Sequence, residues 1–214
     1  MQDNDNNNND NQLQQAVKRM PIHRKKTLKR QKTLYARAYN SNNTYCNEEL
    51  PQESIPILYE IFSKYAPLSK IASPYRNFYD IGSSSGKVVI GITTKNNYLK
   101  GVGIEIVPEK IVLANTALQH IRDESLRKRI EFLCISMIDQ NINYSNACWL
   151  LIINEFFSDE ENYYLFEKLS NELQNGSIIV CSKQINNNRF QQLNYMSLPM
   201  AWSNDSKVFV YSKV

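Results

Sequence analysis

No stretch of the 214 residues is long and apolar enough to cross a bilayer, and the opening MQDNDNNNND is the opposite of a signal peptide. A soluble, intracellular protein is expected. Cysteine is sparse and scattered: Cys46, Cys134, Cys148 and Cys181 form no CxxC pair, so neither a zinc site nor a disulfide framework is indicated. Buried free thiols are expected in the core half instead. Acids are absent from residues 11–47, where nine cations lie: Lys18, Arg19, Arg24, Lys25, Lys26, Lys29, Arg30, Lys32 and Arg37. Without those nine and the early acids Asp3, Asp5 and Asp10, the whole-chain charge of +4 becomes −2 for residues 48–214. The basic character therefore belongs to an amino-terminal arm and not to the body.

Residues 1–44 read as that arm, Asn-rich at first (Asn4, Asn6–Asn9, Asn11) and then basic, with nothing to pack into a core. Disorder is expected there. The cluster KRMPIHRKKTLKRQK suits a nuclear import signal, a nucleic-acid contact or a solvated tail, and His23 within it has no catalytic partner nearby.

Residues 45–214 have the pattern of one folded domain, and 42% hydrophobic residues suffice for one sizeable core. Helical spacing appears over 51–65, 87–93, 109–121 and 163–173, the last stopped by Asn175-Gly176. The 109–121 segment, with Ile111, Val112, Leu113, Leu118 and Ile121, is expected to pack on a sheet. Strands are expected at 79–82, 101–106, 129–135, 149–153, 177–182 and 207–212, with the apolar run at 149–153 central and covered on both faces. Alternation of strand and helix predicts a Rossmann-like, doubly wound α/β sheet with its ligand at the carboxyl ends of the strands.

The segment Phe78–Glu105 carries the chemistry. It reads as strand, glycine-containing turn, helix and a second strand ending in an acid. The turn Asp80-Ile81-Gly82-Ser83-Ser84-Ser85-Gly86 lacks a P-loop ending, since Lys87 is followed by Val88, and its glycines stand four apart rather than as G-x-G-x-x-G. A carboxylate at the first strand end repels pyrophosphate and attracts a sulfonium amino acid, and an acid closing the second strand suits ribose hydroxyls. S-adenosylmethionine is the cofactor that combination predicts, and methyl transfer from it to an amine calls for no metal and no covalent nucleophile.

Six segments then occur in the order of a known family. Glu49-Leu50-Pro51-Gln52-Glu53 follows the pattern of a Y-G-E loop, Phe78–Ser83 of F-x-D-L-G-S, Gly103-Ile104-Glu105 of G-V-E, and Ile153-Asn154-Glu155-Phe156 of V-N-N-F. Gly176–Lys183 follows G-G-R-I-V-S-S-K, and Ala201-Trp202-Ser203 with Val208–Tyr211 follows S-W-T and a tyrosine-bearing last strand. The chain resembles the non-SET histone lysine methyltransferases of the disruptor-of-telomeric-silencing type.

That resemblance implies a class I methyltransferase core, S-adenosylmethionine as cofactor, a histone core lysine in the nucleosome as acceptor, and a place in the nucleus. It carries cofactor contacts to Glu49, Asp80, Gly82, Ser83, Ser84, Gly86, Glu105, Ser136, Met137, Asn154 and Phe156, and catalytic roles to Asn154 and Tyr211. Tyr45, Phe156, Trp202 and Tyr211 would wall the acceptor channel. The chain departs from the family at Ser84, in place of a glycine, at Glu155, in place of an asparagine, and at Ser136-Met137, in place of an acid and an aromatic. Both Glu48 and Glu49 stand where the family has one glutamate. RNA or another protein as acceptor, and a catalytically silent binding domain, remain as alternatives; the absence of an N-P-P-Y motif weakens the RNA reading.

Overall fold

A computed structural model of the protein describes residues 50–214. The expected disordered arm, Tyr45, Cys46, Glu48 and Glu49 lie outside the described residues.

The centre of the molecule is set by the most apolar strands. The segment Ala147–Ile152 (β4) is buried along its whole length. It pairs in parallel with Asn77–Ile81 (β1) on one side and Ile178–Cys181 (β5) on the other. Lys100–Glu105 (β2) and Ile130–Cys134 (β3) extend the parallel sheet beyond β1. Beyond β5 the direction reverses: Ser203–Lys213 (β7) runs antiparallel to β5, and Phe190–Met200 (β6) antiparallel to β7. The order is β3-β2-β1-β4-β5-β7-β6. The chain moves to one side after β1 and to the other at β4, so the crevice for a ligand opens at the carboxyl ends of those two strands.

The two faces carry separate cores. Helices Ser54–Tyr65 (α1), Lys87–Thr94 (α2) and Pro108–Gln119 (α3) flank one, where Phe62 stacks on the Trp149 ring at 5.3 Å. Asp159–Glu172 (α5) covers the other, around Tyr79, Tyr144 and Leu150. A short helix, Glu124–Arg127 (α4), precedes β3. There the Arg129 guanidinium donates to the carbonyls of Thr93, Asn96 and Leu99, satisfying the frayed end of α2.

Three expectations need correction. α3 buries only Ile111 and Ala114, whereas Val112 and Leu113 are 63% and 59% exposed. α1 begins at Ser54, which puts Pro56 rather than Pro51 in its first turn, where a missing N–H costs little. Cys134 is exposed, although Cys148 and Cys181 are buried. The largest omission is β6. Its sequence FQQLNYMSLPM is polar on one side because β6 is an edge strand covered on one face by α1, with the Ser54 hydroxyl donating to the Pro199 carbonyl at 2.6 Å.

Candidate cofactor and acceptor site

The turn after β1 is built from left-handed residues. Gly82 and Gly86 have φ of 87° and 78°, and Ser84 adopts 49°. A Cβ on Gly86 would meet the Phe132 ring at 2.3 Å, so only glycine fits where the chain enters α2. The N–H groups of Gly82 and Ser83 both donate to the Ile104 carbonyl, at 2.8 and 3.0 Å, which ties the turn to β2. A shallow, open cleft lies beside it. Leu50, Val88 and Ile153 give it an apolar wall, and Asp80, Ser83, Ser84 and Lys87 bring polar groups.

Three features of this cleft suit the amino-acid end of S-adenosylmethionine. Asp80 and Lys87 supply one charge of each sign for an ammonium and a carboxylate. The Ser83 hydroxyl is buried without a hydrogen-bond partner, an arrangement that costs free energy unless a ligand supplies one. The glycine-lined turn admits close approach of the backbone. Lys87 went unrecognised as a site residue in the sequence, where it served only to exclude a P-loop.

Glu105, at the end of β2, is buried and already braces the site. Its Oε1 accepts from the N–H groups of Ile106 and Val107, and its Oε2 from that of Ser84 at 3.1 Å. Oε2, with one such bond, keeps acceptor capacity for a ribose hydroxyl. Ser136 and Met137 follow β3 on the next strand end, where Ile135 N–H donates to the Glu105 carbonyl. They begin the segment 135–146, which joins β3 to β4 without a helix. Buried Tyr144 donates its hydroxyl to the Met137 carbonyl at 2.9 Å and holds that loop. Glu105, Ser136 and Met137 adjoin one another but lie beyond the cleft wall.

On the other side of the cleft the expected residues separate. Asn154 is fully buried and its amide is engaged: Oδ1 accepts from Ser182 N–H, Ser182 hydroxyl and Lys183 N–H, and Nδ2 donates to Asn162. It joins the ends of β4 and β5. Phe156, 45% exposed, meets Trp202, 40% exposed, edge to face with ring centroids 6.1 Å apart. Trp202 occupies the tip of the β6–β7 hairpin, past the carboxyl end of β5. Glu155 beside them is exposed. Tyr211 is brought to neither group: it is buried in the α5-side core, accepts from Ile185 N–H and donates to Gln192. Burial raises its phenol above the ordinary value.

A family model, histone methylation protein DOT1, matches residues 71–208, a span that contains the glycine turn, Glu105, Asn154 and Trp202. The chain belongs to the DOT1 family. Solved structures support the DOT1 fold assignment. The plantazolicin methyltransferase BpumL in complex with SAH superposes with a TM-score of 0.56 at 14% identity, covering 88% of this chain and 96% of that one. TrmN from Thermus thermophilus gives 0.58 at 13%, over 76% and 52%. The [4+2]-cyclase SpnF gives 0.55 at 10%, over 73% and 80%. These likenesses show the class I methyltransferase fold, and the last is a reminder that the fold alone does not fix a reaction. No curated protein matches the sequence. DOT1 family and fold together make this an S-adenosylmethionine-dependent methyltransferase.

Among the described residues no cluster of three or more His, Cys, Asp or Glu could hold a metal, and no helix is long and apolar enough to cross a membrane.

Proposed function

We propose that the protein methylates a lysine in the histone core of chromatin, in the nucleus. The observation that carries the reading is that an acid, Asp80, and a base, Lys87, line one cleft at the β1 end of a DOT1-family chain. Asp80 holds the methionine ammonium, Lys87 the carboxylate, Glu105 the ribose, and Ser136 with Met137 borders the adenine; Glu49 is assigned to the same cofactor. S-adenosylmethionine, when bound, supplies an electrophilic methyl group on sulfonium sulfur. The acceptor amine must arrive neutral and in line. Phe156 and Trp202 exclude water from its path, which favours loss of its proton to solvent before reaction. Asn154 acts as a positioning residue through its bonds to the β5 end.

Incubation with labelled S-adenosylmethionine and separate pools of nucleosomes, free histones and RNA tests the reading. Label is expected on nucleosomes and is expected to fall sharply in Asp80→Asn. Label on RNA alone would move the acceptor, and failure of the parent to bind cofactor in calorimetry would remove the enzyme reading.

The arm is assigned the polyanionic part of the nucleosome, since residues 48–214 carry −2. If about six of its cations meet phosphates, the log–log slope of affinity against salt is roughly −5. Deletion of residues 1–37 should flatten that slope while leaving cofactor affinity unchanged; an unaltered slope would make the arm a solvated tail or an import signal.

A further inference from the structure

The residue after Phe156 is held at both ends of its peptide unit. The Phe157 carbonyl accepts from the Lys183 ammonium at 3.1 Å and from the Asn162 amide at 3.2 Å, and its N–H donates to the Asn154 carbonyl. Asn162 is itself fixed by Asn154 Nδ2 at 2.6 Å and reaches the Ser158 carbonyl as well. The Phe157 ring points the other way. A Cβ built on Gly82 would meet Phe157 Cζ at 3.8 Å, ordinary van der Waals distance, so the ring lies over the cofactor turn. One dipeptide thus brings its second ring up to the space over Gly82 and sets its first against the hairpin tip.

The use of charge is informative. Lys183 is half-buried, and its ammonium is directed at a main-chain carbonyl. Hydrogen bonds from a charged donor are shorter and stronger than neutral ones. Here that strength is applied to one peptide unit, the unit that sets how far the Phe156–Trp202 pair stands from the glycine turn.

We infer that Phe157, held by Lys183 and Asn162, is a positioning device that fixes the gap between the cofactor turn and the acceptor wall. It rests on the methyltransferase reading above and goes beyond it by assigning residues that touch neither reacting atom. Lys183 acts through Phe157, and Phe157 acts through the place of its ring beside Gly82 and through its chain neighbour Phe156.

Lys183→Met keeps the stem and removes the donor, whereas Lys183→Arg keeps a charged donor. Three quantities are to be measured for each: S-adenosylhomocysteine affinity by calorimetry, Trp202 emission as the difference from the matching Trp202→Phe protein, and methylation of nucleosomes. Lys183→Met should red-shift Trp202 emission in the ligand-free protein and lower acceptor kcat/KM roughly tenfold, as a displaced wall would. Its S-adenosylhomocysteine affinity should change less than about threefold, because the carbonyl bond lies outside the cofactor contacts. Lys183→Arg should restore both emission and kcat/KM. Unchanged Trp202 emission in Lys183→Met overturns the proposal, and so does an equal loss of melting temperature and cofactor affinity with no rescue by arginine, which would make Lys183 a folding residue only. Failure of the parent to bind S-adenosylhomocysteine would sink the methyltransferase reading alone, since the ligand-free emission still decides the clamp.

Discussion

Ser84 occupies a left-handed conformation, φ 49°, that costs a residue with a Cβ about 1 kcal/mol. Its N–H bond to Glu105 holds it there. Ser84→Gly relieves the strain but gives the unfolded chain more freedom, so a net gain of about 0.5 kcal/mol is expected, seen as a higher melting temperature. A fall would mean that the serine hydroxyl's own contacts outweigh the strain. Glu155, exposed and next to Phe156 in the chain, adds a carboxylate to the acceptor side, and a nearby anion favours the ammonium form of an incoming lysine. Glu155→Asn is therefore expected to raise methylation of a lysine substrate, and lower activity would show that the acid serves this protein's own acceptor. At this scale the shape of the candidate turn was legible. Asp80, Gly82, Gly86 and Glu105 stand in one short segment whose chemistry depends on local order. The Lys183–Phe157 bond spans 26 residues and exists only because β4 and β5 are neighbours, which no local pattern displays. Tyr211 misled for the converse reason: a tyrosine in a last strand reads the same whether its hydroxyl faces a channel or, as here, pins Ile185.

Elements were legible where apolar residues run together or recur at a regular period, and illegible where they do neither. β1, β2, β4 and β5 announce themselves as apolar runs, whereas β6 pairs on one edge only and reads as loop. The start of α5 was placed four residues late because the signal lies outside the apolar pattern. Ser158 accepts from Glu161 N–H while the Glu161 carboxylate takes Ser158 N–H, a reciprocal cap that begins the helix at Asp159. Ser158→Ala should cost about 1 kcal/mol of stability in urea unfolding. Because that cap fixes the first turn of α5, from which Asn162 reaches the Phe157 and Ser158 carbonyls, its loss should loosen the Phe156–Phe157 loop before the sheet is affected. Equal protection of loop and sheet amides in the variant would contradict that.

Several acids of the whole molecule share one response to alkali. Burial raises the phenols of Tyr79 and Tyr144, raises the thiol of Cys181, and pushes Cys148 from 9.0 up to about 12. An unfolded chain releases these protons near their ordinary values while the folded one retains them, so stability is intact below about pH 9 and falls as pH rises towards 12, by about 1.4 kcal/mol per unit for each group titrating. Urea midpoints should decline steadily above about pH 9, and less steeply in Cys148→Val; a flat midpoint would contradict the burial of these groups.

The bond between Ser54 and Pro199 joins residues 145 apart, near opposite ends of the described domain. During synthesis the face of α1 that receives β6 must wait until almost all of the described domain has left the ribosome. Closure over such a span is entropically costly and slow. The nascent domain therefore spends most of its translation with an unfinished sheet edge and a helix lacking part of its partner, the interval in which a holding chaperone would matter most.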